Sequence, residues 1–316
     1  MSSKLKLTLF SAYKKILTSR YGRTLRYAPG ANFLFGLLWP YENTIEVQGS
    51  KMYVNIYDKD PIMRRTFRAY ALEGVHEEST TILFKKVVKE GDVVVDLGAN
   101  IGYFSLLAAK LVGKKGKVYS FEPEPRNYNY LLKNIELNGY DNVFATQKAV
   151  GEEAGKVKLY ICPYDTGHHT INQYGGIKEY ESVYKYDSTE DKKEFVEVEK
   201  VSLDDFFKDR TQQIDVIKMD VEGAEMLALS GMNRIIKENK NLKMFVEFFP
   251  LLIREMGSSP EEFIHKLLED YRFSMFVIPD DYSASKKIIR IDSVDEIMDL
   301  CKGETDHVNL FLKKMG

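Results

Sequence analysis

The sequence predicts an α/β fold: a doubly wound, mostly parallel sheet of seven strands, preceded by a helical and hairpin extension. Two observations carry this. From residue 92 onward, short apolar runs alternate with longer segments of helical periodicity, and such alternation builds a parallel sheet with helices on both faces. Within that stretch, Val93-Val94-Val95-Asp96-Leu97-Gly98-Ala99-Asn100-Ile101-Gly102-Tyr103-Phe104-Ser105 reads as buried strand, glycine turn and helix start. A second strand, Lys117-Val118-Tyr119-Ser120-Phe121, follows and ends on Glu122. A βαβ unit with a glycine turn and an acid at the next strand end is built for a nucleoside cofactor.

In chain order, residues 3–20 carry apolar side chains at Leu5, Leu7, Leu9, Phe10, Tyr13, Ile16 and Leu17, the spacing of an amphipathic helix. The aromatic stretch 27–41 contains Pro29, Gly30 and Pro40 and reads as loop. Segments 44–48 and 51–56 alternate about Gly49-Ser50, the pattern of a hairpin. A short helix is expected over 79–89. Strands are then expected over 93–96, 117–121, 143–149, 214–219, 243–248, about 272–278 and 307–313. Helices are expected over 103–112, 125–138, 223–239 and 260–270. A strand at 157–161 and the region 164–199 interrupt the alternation. With its charged run at 179–200, the insertion at about 162–200 reads as a lid, because long connections inside a domain are usually functional. The expected domains are 1–73, the extension, and 74–316.

Hydrophobic residues make up 44% of the 316-residue chain and charged residues 29%, the balance of a soluble globular protein. The net charge of −2 is unevenly spread: residues 1–41 carry seven Lys and Arg and no acid, so the remainder holds −9 (−2 minus 7). That acidic body gives no reason to expect a nucleic-acid partner. Cys162 and Cys301 stand far apart, against a disulfide scaffold or a zinc site. The apolar run at 33–39 is too short to span a bilayer, and no secretory leader is recognisable, so a cytoplasmic location is expected. Residues 1–41 read as a lid over an acceptor pocket, with a peripheral membrane or partner contact as the alternative.

The turn has a G-x-x-x-G spacing with Asp96 two residues before its first glycine. A carboxylate there would repel a pyrophosphate but suits an ammonium or sulfonium. S-adenosyl-L-methionine carries both cations, and a ribose whose hydroxyls Glu122 can accept. A second constellation follows the strand Ile214-Asp215-Val216-Ile217-Lys218-Met219, where Asp220 and Glu222 precede a helix. Ligands of open α/β sheets sit at the carboxyl ends of the strands, so Asp220 and Glu222 share a crevice with Asp96 and Glu122; Glu225 reads as a helix-end acid. Groups able to take up a proton beside such a crevice are catalytic candidates. The candidates are Asp220, Glu222, His168, His169 and, at the fifth strand's end, Glu247. Spacing points to no metal site, although Asp220, Glu222 and Glu247 could offer oxygen ligands to Mg²⁺.

Several of these motifs together resemble the FkbM-type methyltransferases: Asp-Leu-Gly-Ala-Asn-Ile-Gly-Tyr-Phe-Ser at 96–105, Phe-Glu-Pro at 121–123, Val-Ser-Leu-Asp at 201–204, Lys-Met-Asp-Val-Glu-Gly-Ala-Glu at 218–225 and Val-Asn-Leu-Phe at 308–311. The resemblance covers about 74–313. It implies a class I, Rossmann-like methyltransferase fold, S-adenosylmethionine as cofactor, and O-methylation of a sugar, polyketide or other small-molecule or glycan acceptor. It further implies that Gly98, Ala99, Asn100 and Gly102 line the methionine part and that Asp96 faces its amino group. Glu122 would hold the ribose, with Pro123, Ala149 and Val150 around the adenine. Glu77 is retained from a Tyr-Glu-Pro pattern that reads His76-Glu77-Glu78 here. A non-catalytic scaffolding protein of the same fold and an NAD-dependent oxidoreductase are the alternatives.

Overall fold

The computed structural model describes residues 3–19, 30–40, 43–162, 166–172, 194–210, 213–279, 287–303 and 306–314. It divides into two compact units, Met1–His76 with Tyr164–Thr166, and Glu77–Pro163 with Gly167–Gly316.

In the first unit the amphipathic helix forms as expected, α1 at Ser3–Thr18, burying Phe10 and Leu17. The segment read as loop instead contains a helix, α2 at Ala31–Leu38. Pro40 lies beyond the end of that helix, and Gly30 turns into it at φ 84°. Packing then stabilises so short a helix: Phe35 and Trp39 close on Phe10, each with ring centroids 5.3 Å away. The hairpin pairs β1, Thr44–Val47, with β2, Ser50–Tyr53. Helix α3, Pro61–Glu73, was not expected from sequence; it buries Met63 and Phe67.

The second unit begins with α4, Glu78–Val87. The chain then runs through β3 Val93–Leu97, α5 Tyr103–Val112, β4 Lys117–Phe121, α6 Pro125–Asn138 and β5 Val143–Thr146. Next come β6 Ala149–Val150, β7 Gly155–Tyr160, β8 Phe195–Val201 and α7 Leu203–Phe206. After these lie β9 Val216–Met219, α8 Glu225–Ser230, α9 Asn233–Glu238 and β10 Lys243–Phe248. The last elements are α10 Pro250–Glu255, α11 Pro260–His265 with a π turn over Lys266–Asp270, β11 Phe273–Ile278, β12 Ile289–Ile291, α12 Val294–Leu300 and β13 Val308–Lys314.

The main sheet has the order β12-β11-β13-β10-β9-β3-β4-β5. It is eight-stranded, not seven-stranded as expected; the added strand is β12, three residues that extend the edge antiparallel to β11. The run β10-β9-β3-β4-β5 is parallel and β13 is antiparallel to both its neighbours. Strands buried on both faces are mostly apolar; in β9 all four residues are buried, and Lys218 is the one charge among them. The expected strand 143–149 splits: β5 joins the main sheet, while β6 pairs with β8 in a separate three-stranded sheet, β6-β8-β7. The end of the predicted insertion is therefore a strand, not lid. Residues 173–193 lie outside the described residues. The expected helix 223–239 breaks at Gly231, where a Cβ would come within 2.0 Å of the Gly151 carbonyl oxygen.

Candidate active site

At the end of β3 the chain turns through three left-handed residues, Gly98 (φ 78°), Asn100 (φ 50°) and Gly102 (φ 102°). Gly98 is required twice over: its φ disfavours a side chain, and a Cβ would lie 1.8 Å from the Asp220 carbonyl oxygen. The turn is thus pressed against the end of β9. The amides of Gly98 and Ala99 both donate to the Phe121 carbonyl at the end of β4, at 3.0 and 2.9 Å. Glu122 locks the same turn from its side chain. Its Oε2 accepts the Asn100 amide at 2.7 Å and its Oε1 accepts the Glu124 amide at 2.9 Å. Burial pushes the Glu122 carboxyl up to about 8, against those two N–H groups, which lower it. Beyond half-buried Pro123, Glu124 caps α6 by accepting the Asn127 amide at 2.7 Å.

Beside the turn lies a charged cluster with Lys218 at its centre. The Lys218 ammonium is 2.8 Å from Asp220 Oδ2, 3.7 Å from Glu77 Oε1 and 4.6 Å from the centroid of Phe104. Burial pulls its pKa down, but Asp220, Glu77 and Asp96 outweigh that and hold it above the ordinary lysine value. Glu77 reaches in from a left-handed residue (φ 45°) just before α4. Asp96 is buried and accepts the Ser105 hydroxyl at 2.6 Å; burial pushes it up to about 6, with Lys218 opposing. Asp220, Glu222 and Glu247 each offer an oxygen, and these lie within 4.8 Å of one another. Glu247 is raised well above the usual range, first by burial and then by Asp220, Glu222 and Glu77. Glu225, expected only to stabilise a helix end, is buried, accepts the Gly223 amide at 3.2 Å and is pushed up to about 7 by burial.

The other predicted site residues have these surroundings. Nδ1 of His169 accepts the Cys162 amide at 3.0 Å, so its acceptor nitrogen holds backbone. His168 is half-buried beside it. Ala149 and Val150 form β6, and their side chains join two different apolar clusters. Gly102 packs on Leu131, 2.8 Å from where a Cβ would sit. Two residues were not singled out from the sequence. Lys218 had a signal, a lone charge inside an apolar buried strand. Thr170, whose hydroxyl donates to the Glu222 carbonyl at 3.0 Å, had none, because the contact spans 52 positions.

Residues 96–275 match the family described as Methyltransferase FkbM domain. The chain belongs to this family. A relative, the 31-O-demethyl-FK506 methyltransferase FkbM of Streptomyces tacrolimicus, is 31% identical over 196 residues, which are 57% of this chain and 70% of that one. Methyltransferase sdnD of Sordaria araneosa is 32% identical over 156 residues, 44% of this chain; the chain spans 60% of that relative's length. Among solved structures, methyltransferase FkbM of Methylobacillus flagellatus KT is 15% identical, with coverage of 81% of this chain and 55% of that one and a TM-score of 0.41.

Seen as an FkbM-family site, the donor set is one of excess negative charge. Asp96, Asp220 and Glu77 act on the Lys218 ammonium, and Glu222 and Glu247 lie with Asp220; that charge balance fits a cationic ligand. Glu122 has acceptor capacity for ligand hydroxyls beyond its amide bonds, since a carboxylate offers about four lone-pair sites.

Proposed function

We propose that the protein is an S-adenosyl-L-methionine-dependent methyltransferase acting on a hydroxyl oxygen of a small-molecule or glycan acceptor such as a sugar or polyketide. The observation that carries this reading is Glu122: its carboxylate is tied by backbone amides to the glycine turn at 2.7 and 2.9 Å and lies one strand from a carboxylate cluster richer in negative than positive charge. The first suits a ribose and the second suits the ammonium and sulfonium. The cofactor supplies an electrophilic methyl group. The protein must exclude water, hold the acceptor oxygen in line and take up its proton.

The sheet order orients the roles. The ribose belongs at β4, with Glu122. The methionine end belongs across β3 and β9, with Gly98, Ala99, Asn100, Gly102, Asp96 and Glu77. The acceptor belongs toward β9 and β10. Asp220, fixed by Lys218 at 2.8 Å, is an orienting group. Glu247, raised above the usual carboxylate range, is the better proton acceptor once ionised, and Glu222 lines the same end. His169, with Nδ1 on backbone, positions the segment around Thr170. Lys218 already sits on Asp220 at 2.8 Å, so the reading uses no metal. Residues 42–316, at −9, favour an uncharged or cationic acceptor over a nucleic acid.

Incubation of the full chain with methyl-labelled S-adenosylmethionine and a panel of hydroxylated acceptors tests the reaction. Transfer to an acceptor hydroxyl supports it. Label carried only on nitrogen or carbon would overturn the O-methylation.

A further inference from the structure

The first unit leaves two apolar faces uncovered. On α1, one side buries Phe10 and Leu17. An adjoining side carries Leu5, Leu9 and Ile16, spaced as one helical stripe, and Leu5 and Ile16 are 50% and 54% exposed. On α2, Phe35 is buried while Phe33 and Leu37, one turn apart, are 72% and 56% exposed. Aromatic contacts of Phe35 and Trp39 with Phe10 and a hydrogen bond from Tyr13 to the Ala31 carbonyl at 2.8 Å fix the two helices to each other, so the outward residues are carried by one support. Single exposed apolar residues need no explanation, but a group of this kind marks an interaction surface.

Charge selects the partner. Residues 1–41 contain seven basic residues and no acid, whereas the rest of the chain carries −9. Lys15 is exposed next to Ile16, and Lys6 lies next to Leu5. A second copy would bring a like-charged face against this one. A surface offering negative headgroups over an apolar interior matches both features, as for helices that lie in the membrane interface. We propose that α1 and α2 dock the protein on an anionic lipid bilayer, with Phe33, Leu37, Leu5 and Ile16 entering the interface and the lysines meeting headgroups. No helix among the described residues is long and apolar enough to cross a membrane, so the contact is peripheral.

The test is sedimentation of the full chain with vesicles of phosphatidylcholine alone or with about one-third phosphatidylserine, at low and high salt. Binding is expected only with the anionic vesicles and should weaken on adding salt, because screening shortens the reach of these charges. F33S/L37S should lower the partition coefficient about tenfold or more, and K6E/K15E by a similar factor. An unchanged melting curve for each variant separates lost docking from lost folding. L5S/I16S provides a second apolar test if the first pair fails to fold. Equal binding to neutral vesicles, or none to anionic ones, overturns the proposal. So does a dimer, seen by light scattering, that the same substitutions dissociate.

Discussion

Two sets of carboxylates gather near the carboxyl ends of one sheet and are held in opposite ways. Glu122 is held by backbone: amides of Asn100 and Glu124 point at its two oxygens, and these donors cannot leave without unwinding the turn. Asp220 and Glu77 are instead met by a side chain, the Lys218 ammonium, and Asp96 shares its field. The backbone-held group is a fixed acceptor. The ammonium-held group is an unbalanced charge cluster whose protonation answers to whatever cation arrives. Adjacent strands of the same residue chemistry thereby acquire different tasks, and substitutions can separate them.

The largest effect is expected from Lys218→Met. Removing the central cation leaves buried carboxylates uncompensated, which costs about 3–5 kcal/mol of folding stability. Denaturant unfolding would measure it. A loss under 1 kcal/mol would mean the cluster relaxes by taking up protons, and the contrast with Glu122 would narrow. Glu122→Ala comes next. Ligand hydroxyl bonds to the ionised Glu122 carboxylate are worth about 1.5–3 kcal/mol, so above pH 8, where that form prevails, S-adenosylhomocysteine should bind the variant on the order of ten- to a hundredfold more weakly. If affinity holds while the melting temperature falls sharply, Glu122 only staples the turn.

Acidity sharpens the comparison. Asp96, Glu225 and Glu122 are pushed up to about 6, 7 and 8. An acid raised in the folded state contributes stability that is complete below its unfolded pKa, near 4, and is lost as pH rises through its folded value. The ligand-free protein should therefore lose melting temperature between about pH 5 and pH 8. Lys218, also raised, adds nothing to that window, since its contribution disappears only above the lysine range. A flat profile from pH 5 to 8 would contradict the burial of these acids. A cation entering the cluster favours the ionised carboxylates, so S-adenosylmethionine should release protons on binding and the uncharged thioether of S-adenosylhomocysteine should release fewer. Calorimetry in buffers of different ionisation enthalpy counts them; equal counts would place the sulfonium away from Glu247 and Asp220. The smallest effect is expected for His169→Ala, which should leave cofactor affinity within about twofold, because the Nδ1 of its imidazole is taken by the Cys162 amide.

What the sequence made legible follows from period and locality. Helices α5 and α6 were expected over 103–112 and 125–138 and occupy Tyr103–Val112 and Pro125–Asn138, because Gly102, Pro125 and Gly139 mark their ends. The glycine turn and Glu122 were legible because about 20 residues of one βαβ unit bring them together. Elements that depend on distant partners were not. Helix α2 owes its existence to Phe10, and β8 owes its to β7 across the predicted insertion. Strand β12 is three residues at an edge and carries too little pattern to read. Lys218 appeared as an irregularity in an apolar strand, but its role needs Glu77, 141 positions earlier, and such a pairing leaves no local trace.

The most direct test is calorimetric titration of the full chain with S-adenosylmethionine, S-adenosylhomocysteine and NAD. Both adenosyl ligands are expected to bind, and Glu122→Ala should weaken both while the protein stays folded. Tighter binding of NAD than of S-adenosylhomocysteine would contradict the assignment of the turn, Glu122 and the Lys218 cluster to a methyl-donor site.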